Sequence, residues 1–443
     1  MRMREKTFVL SMDALVGEDV SYLWCKPNFS RIFRQCAKVN QVSTIYPSIT
    51  YPAHASIITG CRPGKHGVVT NGAFKTTAGP TQWHLYSDMI KVEDIFAIAK
   101  CCGCSTAAIY WPITGNNPNI DYLINEYFFP DEQETIESGF AKLGANEETM
   151  QVIRENRNRL PSHYRNREGK LQLKHTFDDF INGCACSMIQ KYQPDLLLVH
   201  NCLIDTWRHK YGIFNDNITE GLDQMDIWLG EIIDAMTEAG VYDKTNFVLL
   251  SDHGQLNYVR GVKINLLLAR RGFIKIANNG TVEDWEAFAQ TNGMSATIFL
   301  RDAKNQESYR KVYEYLLELS SQGVWGISKV YTEAECAEKY GLYGEFSFVV
   351  ESDGYTGFSD QWTEPLVNPV DLTDYHFCAA THGYEPEKGP QPIFLGAGPA
   401  FQPGAVIDKA QIIDEAPTLA RILGGTMEQA EGRCMHEILR PGR

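Results

Sequence analysis

The sequence predicts an α/β protein, with a central, mostly parallel sheet flanked by helices and a smaller inserted α/β or α+β subdomain. Three observations carry this reading. Short, nearly continuous apolar runs such as Thr7-Phe-Val-Leu-Ser-Met12, Asp195-Leu-Leu-Leu-Val-His-Asn201 and Asn246-Phe-Val-Leu-Leu-Ser-Asp252 suit strands buried on both faces. Helix-period segments separate them, the alternation that builds a parallel sheet. Between residues 262 and 369 the texture changes, so that residues 1–261 and 370–443 read as the core and 262–369 as a subdomain that shapes the pocket.

In chain order, Thr7 to Met12 forms the first strand and delivers Asp13 to its carboxyl end, where open α/β sheets bind ligands. An Asp there equally suits a turn or a helix cap. Pro27 to Gln35 reads as a helix. Val42 to Tyr46 reads as a strand stopped by Pro47, and Pro52 to Thr59 as a short helix closed by Gly60. Thr50 then lies near a helix N-terminus, where a hydroxyl serves as a cap or meets a phosphate drawn to unpaired N–H groups. Asn71-Gly72 marks a turn. Glu93 to Lys100 suits a helix, and Thr106 to Trp111 a strand ended by Pro112. Ile113 to Ser162 mixes acidic helical pieces without clear organisation.

Leu173 to Gln190 suits a helix. The strand Asp195 to Asn201 leads into a loop holding Asp205 and His209, and a long amphipathic helix follows from Asn217 to Ala239. The next strand ends in Asp252-His253. Within the insertion, Phe273 to Ile276, Thr297 to Leu300 and Phe346 to Val350 read as strands around a helix from Glu307 to Leu319. Thr381-His382-Gly383, a strand from Pro392 to Gly398 and a helix beginning near Asp414 return to the core.

The 443 residues are 44% hydrophobic and 22% charged, the balance of an ordinary globular chain. A formal net charge of −14 argues against a nucleic-acid duplex or an anionic membrane as partner. A small anionic substrate stays compatible, because metal ions invert the local sign of charge. No apolar run reaches membrane-spanning length, and the apolar stretch near the N-terminus is too short for a signal-peptide core. With 12 cysteines and no signal peptide, reduced thiols in a cytoplasmic protein are expected. Cys101 and Cys104 have C-x-x-C spacing, but no second pair follows at zinc-ribbon distance.

Asp13, Asp205 with His209, Asp252 with His253, and the late His382 supply six oxygen and nitrogen ligands without a thiolate. That mixture suits zinc, with manganese or iron as the alternatives. Counting Thr50, seven positions divide between two metals bridged by a phosphoryl group, an arrangement that clamps the attacking and leaving oxygens of an in-line displacement. A coordinated Thr50 hydroxyl loses its proton more readily and becomes a nucleophile. His54, His66 and His376 lack such a setting.

These pieces together resemble the alkaline phosphatase superfamily, and within it the type I phosphodiesterase/nucleotide pyrophosphatase family. The resemblance rests on Ser48-Ile-Thr50-Tyr-Pro52-Ala-His54 continuing to Thr59-Gly60, His66-Gly-Val-Val-Thr-Asn71 and Tyr110-Trp111-Pro112. Asp205-x-x-x-His209-Lys-Tyr-Gly212, Ser251-Asp252-His253-Gly254 and Thr381-His382-Gly383-Tyr384 complete it, in the family's order over nearly the whole chain. It implies an alkaline-phosphatase-like core, with Asp205, His209 and His382 on one zinc and Asp13, Asp252, His253 and Thr50 on the other. It implies Thr50 as nucleophile, Asn71 as a donor to a phosphoryl oxygen, and Tyr51 and Trp111 at the substrate. The substrate would be a small phosphodiester or pyrophosphate, nucleotide-like or otherwise.

The departures are Ala53 where relatives often have Asn, and Asn201-Cys-Leu-Ile204 where many have an acidic run. A sulfatase is disfavoured because Thr50 cannot mature to formylglycine. A phosphonoacetate-hydrolase-like or phosphomonoesterase activity fits the same plan, and a non-catalytic metal-binding member is the reading from another class.

Overall fold

A computed structural model describes residues 4–79, 81–128, 134–160, 177–371 and 379–442. The strands Lys6–Met12 (β1), Ala37–Ser43 (β2), Thr106–Ile109 (β3), Tyr122–Ile124 (β4), Leu196–Asn201 (β5) and Thr245–Leu250 (β6) join Phe394–Ala397 and Val406–Gln411 in one sheet. Its order is Val406–Gln411, β2, Phe394–Ala397, β6, β1, β5, β3, β4. Phe394–Ala397 runs antiparallel to both neighbours, and the other pairings are parallel. The predicted α/β class and mostly parallel sheet are therefore observed.

The alternation along β1 shows how the sheet is covered. Phe8, Leu10 and Met12 pack with the helices Asp178–Lys191 and Asp216–Glu238, while Val9 packs with Thr50–Thr59, Ile95–Cys101 and Glu415–Leu423 on the opposite face. Because β1 is hydrogen-bonded to β5 on one side and β6 on the other, with Met12 opposite Asn201 and Ser11 opposite Leu250, three carboxyl ends meet in the middle of the sheet. A ligand at that edge is reached from three strands at once.

A separate apolar core lies between Val262 and Leu366, under an antiparallel sheet ordered Ala287–Thr291, Ser295–Leu300, Phe348–Ser352, Ile327–Thr332, with the helix Gln306–Ser321 against it. Two glutamates tie this sheet to the main core. Glu351 accepts from the Tyr46 hydroxyl at 2.8 Å and from Lys388 Nζ at 2.6 Å, and Glu385 accepts from Lys329, Tyr331, Lys339 and Tyr340.

Two predicted elements are corrected. The strand expected from Val42 to Tyr46 is Ala37–Ser43, because Thr44 leaves the ladder and donates its hydroxyl to the Asp252 carbonyl. The loop expected around Asp205 is the helix Leu203–Tyr211. The helix predicted from Leu173 begins, within the described residues, at Asp178, and His376 lies outside them.

Candidate active site and metal centre

Thr50 is the first residue of the helix Thr50–Thr59, which closes at Gly60 with φ 67°. The residue before it, Ile49, offers no side-chain cap; Pro52 has no N–H and Ala53 N–H bonds to the Ile49 carbonyl at 3.1 Å, which leaves the N–H groups of Thr50 and Tyr51 at the helix end. Asn71 meets one of them: its Oδ1 accepts from Tyr51 N–H at 3.0 Å. With its oxygen so engaged, the Asn71 amide keeps its N–H donors for another acceptor.

The carboxyl ends of β1, β5 and β6 bring the predicted ligands together. Asp205 and His209 stand four residues apart on one helical face, with His209 Nε2 3.5 Å from Asp205 Oδ2, and the His382 ring lies 5.0 Å from that of His209. Asp13, Asp252 and His253 form a second group, with His253 Nε2 3.5 Å from Asp13 Oδ1 and 3.2 Å from Asp252 Oδ2. Thr50 Oγ1 lies 3.2 Å from the same Nε2. His253 and His382 rings, 4.5 Å apart, join the groups.

Both groups fit divalent metals. Asp13 Oδ1, Asp252 Oδ2 and His382 Nδ1 are buried without a hydrogen-bond partner, an expensive arrangement unless a cation satisfies them. Ligand atoms about 2.0–2.1 Å from a tetrahedral ion are separated by about 3.3–3.5 Å, and the spacings above match that edge. Burial, with Asp205 and Asp252 nearby, holds the Asp13 carboxyl well above its ordinary range. Burial lowers His253 to about 4 and His382 well below its usual value, so both imidazoles are neutral at neutral pH, the form that can bind a metal.

Outer contacts fix these side chains. His209 Nδ1 donates to the Ala380 carbonyl at 2.8 Å, His253 Nδ1 to the Gly254 carbonyl at 3.2 Å, and Gln255 donates to Asp205. Ala14, at φ 56°, turns its N–H onto Asp252 Oδ1 at 3.2 Å. His54 is bound by Thr50 O and Ser11 Oγ, each at 2.8 Å, and ties the first turn of the Thr50–Thr59 helix to β1. The fully buried Arg208 grips both oxygens of Asp19 at 2.7 Å and the Ala14 carbonyl at 2.7 Å, linking the Asp205 helix to the turn after Asp13. Sequence reasoning missed Arg208 and Gln255. A basic residue inside D-x-x-x-H was the available signal for Arg208.

Two predicted substrate residues are placed differently. Trp111 is fully buried and stands edge-on to His54, so it supports the site and presents no face to a ligand. Tyr51 is 1% exposed, packed with Ala55, Val68 and Ile113 and covered by Trp83 at 5.1 Å. The helix that turns Thr50 towards His253 turns the next side chain into the core. His66, bonded to Ser56 at 3.0 Å, and Cys101 and Cys104 join neither group.

The family model described as type I phosphodiesterase / nucleotide pyrophosphatase matches residues 7–385. The chain belongs to the type I phosphodiesterase/nucleotide pyrophosphatase family. Among relatives of this family, an uncharacterized pyrophosphatase/phosphodiesterase of Schizosaccharomyces pombe is 25% identical over 259 residues, 56% of this chain and 44% of that protein. Ectonucleotide pyrophosphatase/phosphodiesterase 1 of Saccharomyces cerevisiae is 21% identical, covering 82% of this chain and 48% of its own length. The chain thus spans about half the length of these two relatives. Murine ectonucleotide pyrophosphatase/phosphodiesterase 5 shares the fold, with a TM-score of 0.68 at 18% identity over 98% of this chain and 100% of that one. An inactive threonine-to-alanine variant of it, solved in complex with AMP, has a TM-score of 0.68 at 17% identity, covering 99% and 100%.

Proposed function

We propose that the protein is a two-zinc hydrolase that cleaves phosphodiester or pyrophosphate bonds in small anionic, nucleotide-like substrates, with Thr50 as nucleophile. The observation that carries this reading is Thr50 Oγ1 at the first residue of a helix, 3.2 Å from His253 Nε2. Asp205, His209 and His382 would hold one zinc and Asp13, Asp252 and His253 the other, with manganese or iron as alternative occupants. When bound, the pair supplies Lewis acidity that favours the ionised Thr50 hydroxyl and offsets phosphoryl charge.

Thr50 Oγ1 bonds to phosphorus as the bond from phosphorus to the leaving oxygen breaks, and that oxygen takes a proton from solvent. Water then hydrolyses the phospho-threonine and releases the second product. The Asn71 amide and the Thr50 backbone N–H are donors fixed before the reaction, each worth ~3 kcal/mol at the transition state in comparable sites. The family assignment and the AMP bound to the murine neighbour support a nucleotide-like substrate, and the inactivity of its threonine variant supports a threonine nucleophile. All eleven cysteines among the described residues are free thiols, which supports a reducing, cytoplasmic setting. No described helix is long and apolar enough to cross a membrane.

The test is a panel of aryl phosphodiester, nucleotide, phosphomonoester and phosphonate substrates on the zinc-loaded protein. Diester or pyrophosphate cleavage should be fastest, vanish on chelation and return with zinc. Full activity in protein stripped of metal would overturn the reading.

A further inference from the structure

A third cluster shares Asp13 with the second group and adds two residues, His200 and Cys202, that the proposed reaction does not use. His200, on β5, and Cys202, just after it, meet Asp13 so that one ligand atom from each lies within 4.8 Å of the others. His200 Nε2 is 3.3 Å from Cys202 Sγ and 3.5 Å from Asp13 Oδ2. A tetrahedral zinc with one sulfur and one nitrogen ligand separates them by about 3.5 Å, and with one nitrogen and one oxygen by about 3.3 Å. The spacing therefore repeats that of the two groups above.

Asp13 divides its oxygens. Oδ1 faces His253 in the second group at 3.5 Å, while Oδ2 faces His200 at 3.5 Å. The other His200 nitrogen, Nδ1, lies 3.4 Å from Ser11 Oγ, which leaves Nε2 on the side of the cluster. Glu126, 2% exposed, brings Oε1 to 4.0 Å from Cys202 Sγ. Its Oε2 is buried without a hydrogen-bond partner.

We propose that Asp13, His200 and Cys202 form a third metal site for a thiophilic divalent ion of the zinc class, sharing Asp13 with the neighbouring ion and having Glu126 within reach as a further ligand. Binding forms a metal–sulfur bond and releases the thiol proton to solvent. Thiolate, imidazole and carboxylate together select such an ion over magnesium or calcium. The ion would fix Asp13 from its far side and tie it to the start of the helix Leu203–Tyr211, three residues before Asp205.

The site is tested without reference to turnover, on the whole chain loaded with cobalt(II). A thiolate ligand gives a sulfur-to-cobalt charge-transfer band in the near ultraviolet, and neither of the other two groups contains a thiolate. Wild-type protein should show this band and bind one more cobalt per chain than C202S, in which the band is lost and the other ions remain. Absence of the band, its persistence in C202S, or equal stoichiometry in the two proteins would overturn the site. Should C202S fail to fold, alkylation of wild-type Cys202 followed by mass spectrometry decides: protection by zinc that is lost on chelation supports the site, and equal alkylation in both states overturns it. Failure of the two-zinc reading looks different, because it removes metal from the O/N groups while these thiolate readouts stand apart.

Discussion

Tyr51 donates its backbone N–H to Asn71 Oδ1 at 3.0 Å, and this bond turns the Asn71 amide towards the end of the helix where Thr50 sits. In the proposed reaction this amide would stabilise charge that develops at phosphorus without reorganising at that moment. Asn71→Ala should lower kcat about a hundredfold or more, with KM and bound metal little changed. Steady-state kinetics with metal analysis checks this, and a change confined to KM would place Asn71 in ground-state binding.

Arg208 and Asp19 are both buried, and the Asp19 carboxyl stays above its ordinary range because burial outweighs the pull of the guanidinium. Removing one partner strands the other. Arg208→Met should destabilise the protein by on the order of 3–5 kcal/mol, and adding Asp19→Leu should recover much of that loss. Denaturant unfolding of the single and double variants measures both values. A double variant no more stable than the single one would show that Arg208 acts through the Ala14 carbonyl instead.

Much of this site was legible because parallel strands deposit their chemistry at one edge. Asp13, Asp252 and His253 each follow an apolar run, and the ends of those runs are neighbours in the sheet. The D-x-x-x-H spacing of Asp205 and His209 is one helical turn, although the segment read as a loop for want of an apolar stripe. Tyr51 and Trp111 are buried, a placement the sequence did not reveal because an aromatic residue in a short helix or at a strand end looks the same whether it faces ligand or core. The Cys202 cluster was hidden because His200 sits inside a strand pattern and the glutamate beside it, Glu126, comes from a segment with no clear periodicity.

Tyr51→Leu follows from its placement. With the ring covered by Trp83, the substitution should lower Tm while leaving the ratio of kcat/KM for nucleotide over aryl diester substrates unchanged. A selective loss on nucleotides would show instead that the ring contacts a base.

Glu351 carries a pH dependence. Burial raises it from 4.5 to about 7, against the opposing pull of Lys388. A raised carboxyl pKa contributes stability that is fully present below 4.5 and is lost as pH rises through about 7. Glu351→Gln should remove this component, on the order of 3 kcal/mol at most, so that stability falls less steeply across that window than in the wild type. Equilibrium unfolding at a series of pH values tests it, and identical slopes would contradict the assignment.

The central claim is that Thr50 becomes phosphorylated. Acid quenching of the zinc-loaded enzyme during turnover of an aryl phosphodiester, followed by peptide mass spectrometry, should find the phosphoryl ester on Thr50, and Thr50→Ala should abolish both the ester and turnover while retaining bound metal. Turnover in Thr50→Ala at the wild-type rate, or a phosphoryl ester on another residue, would contradict it.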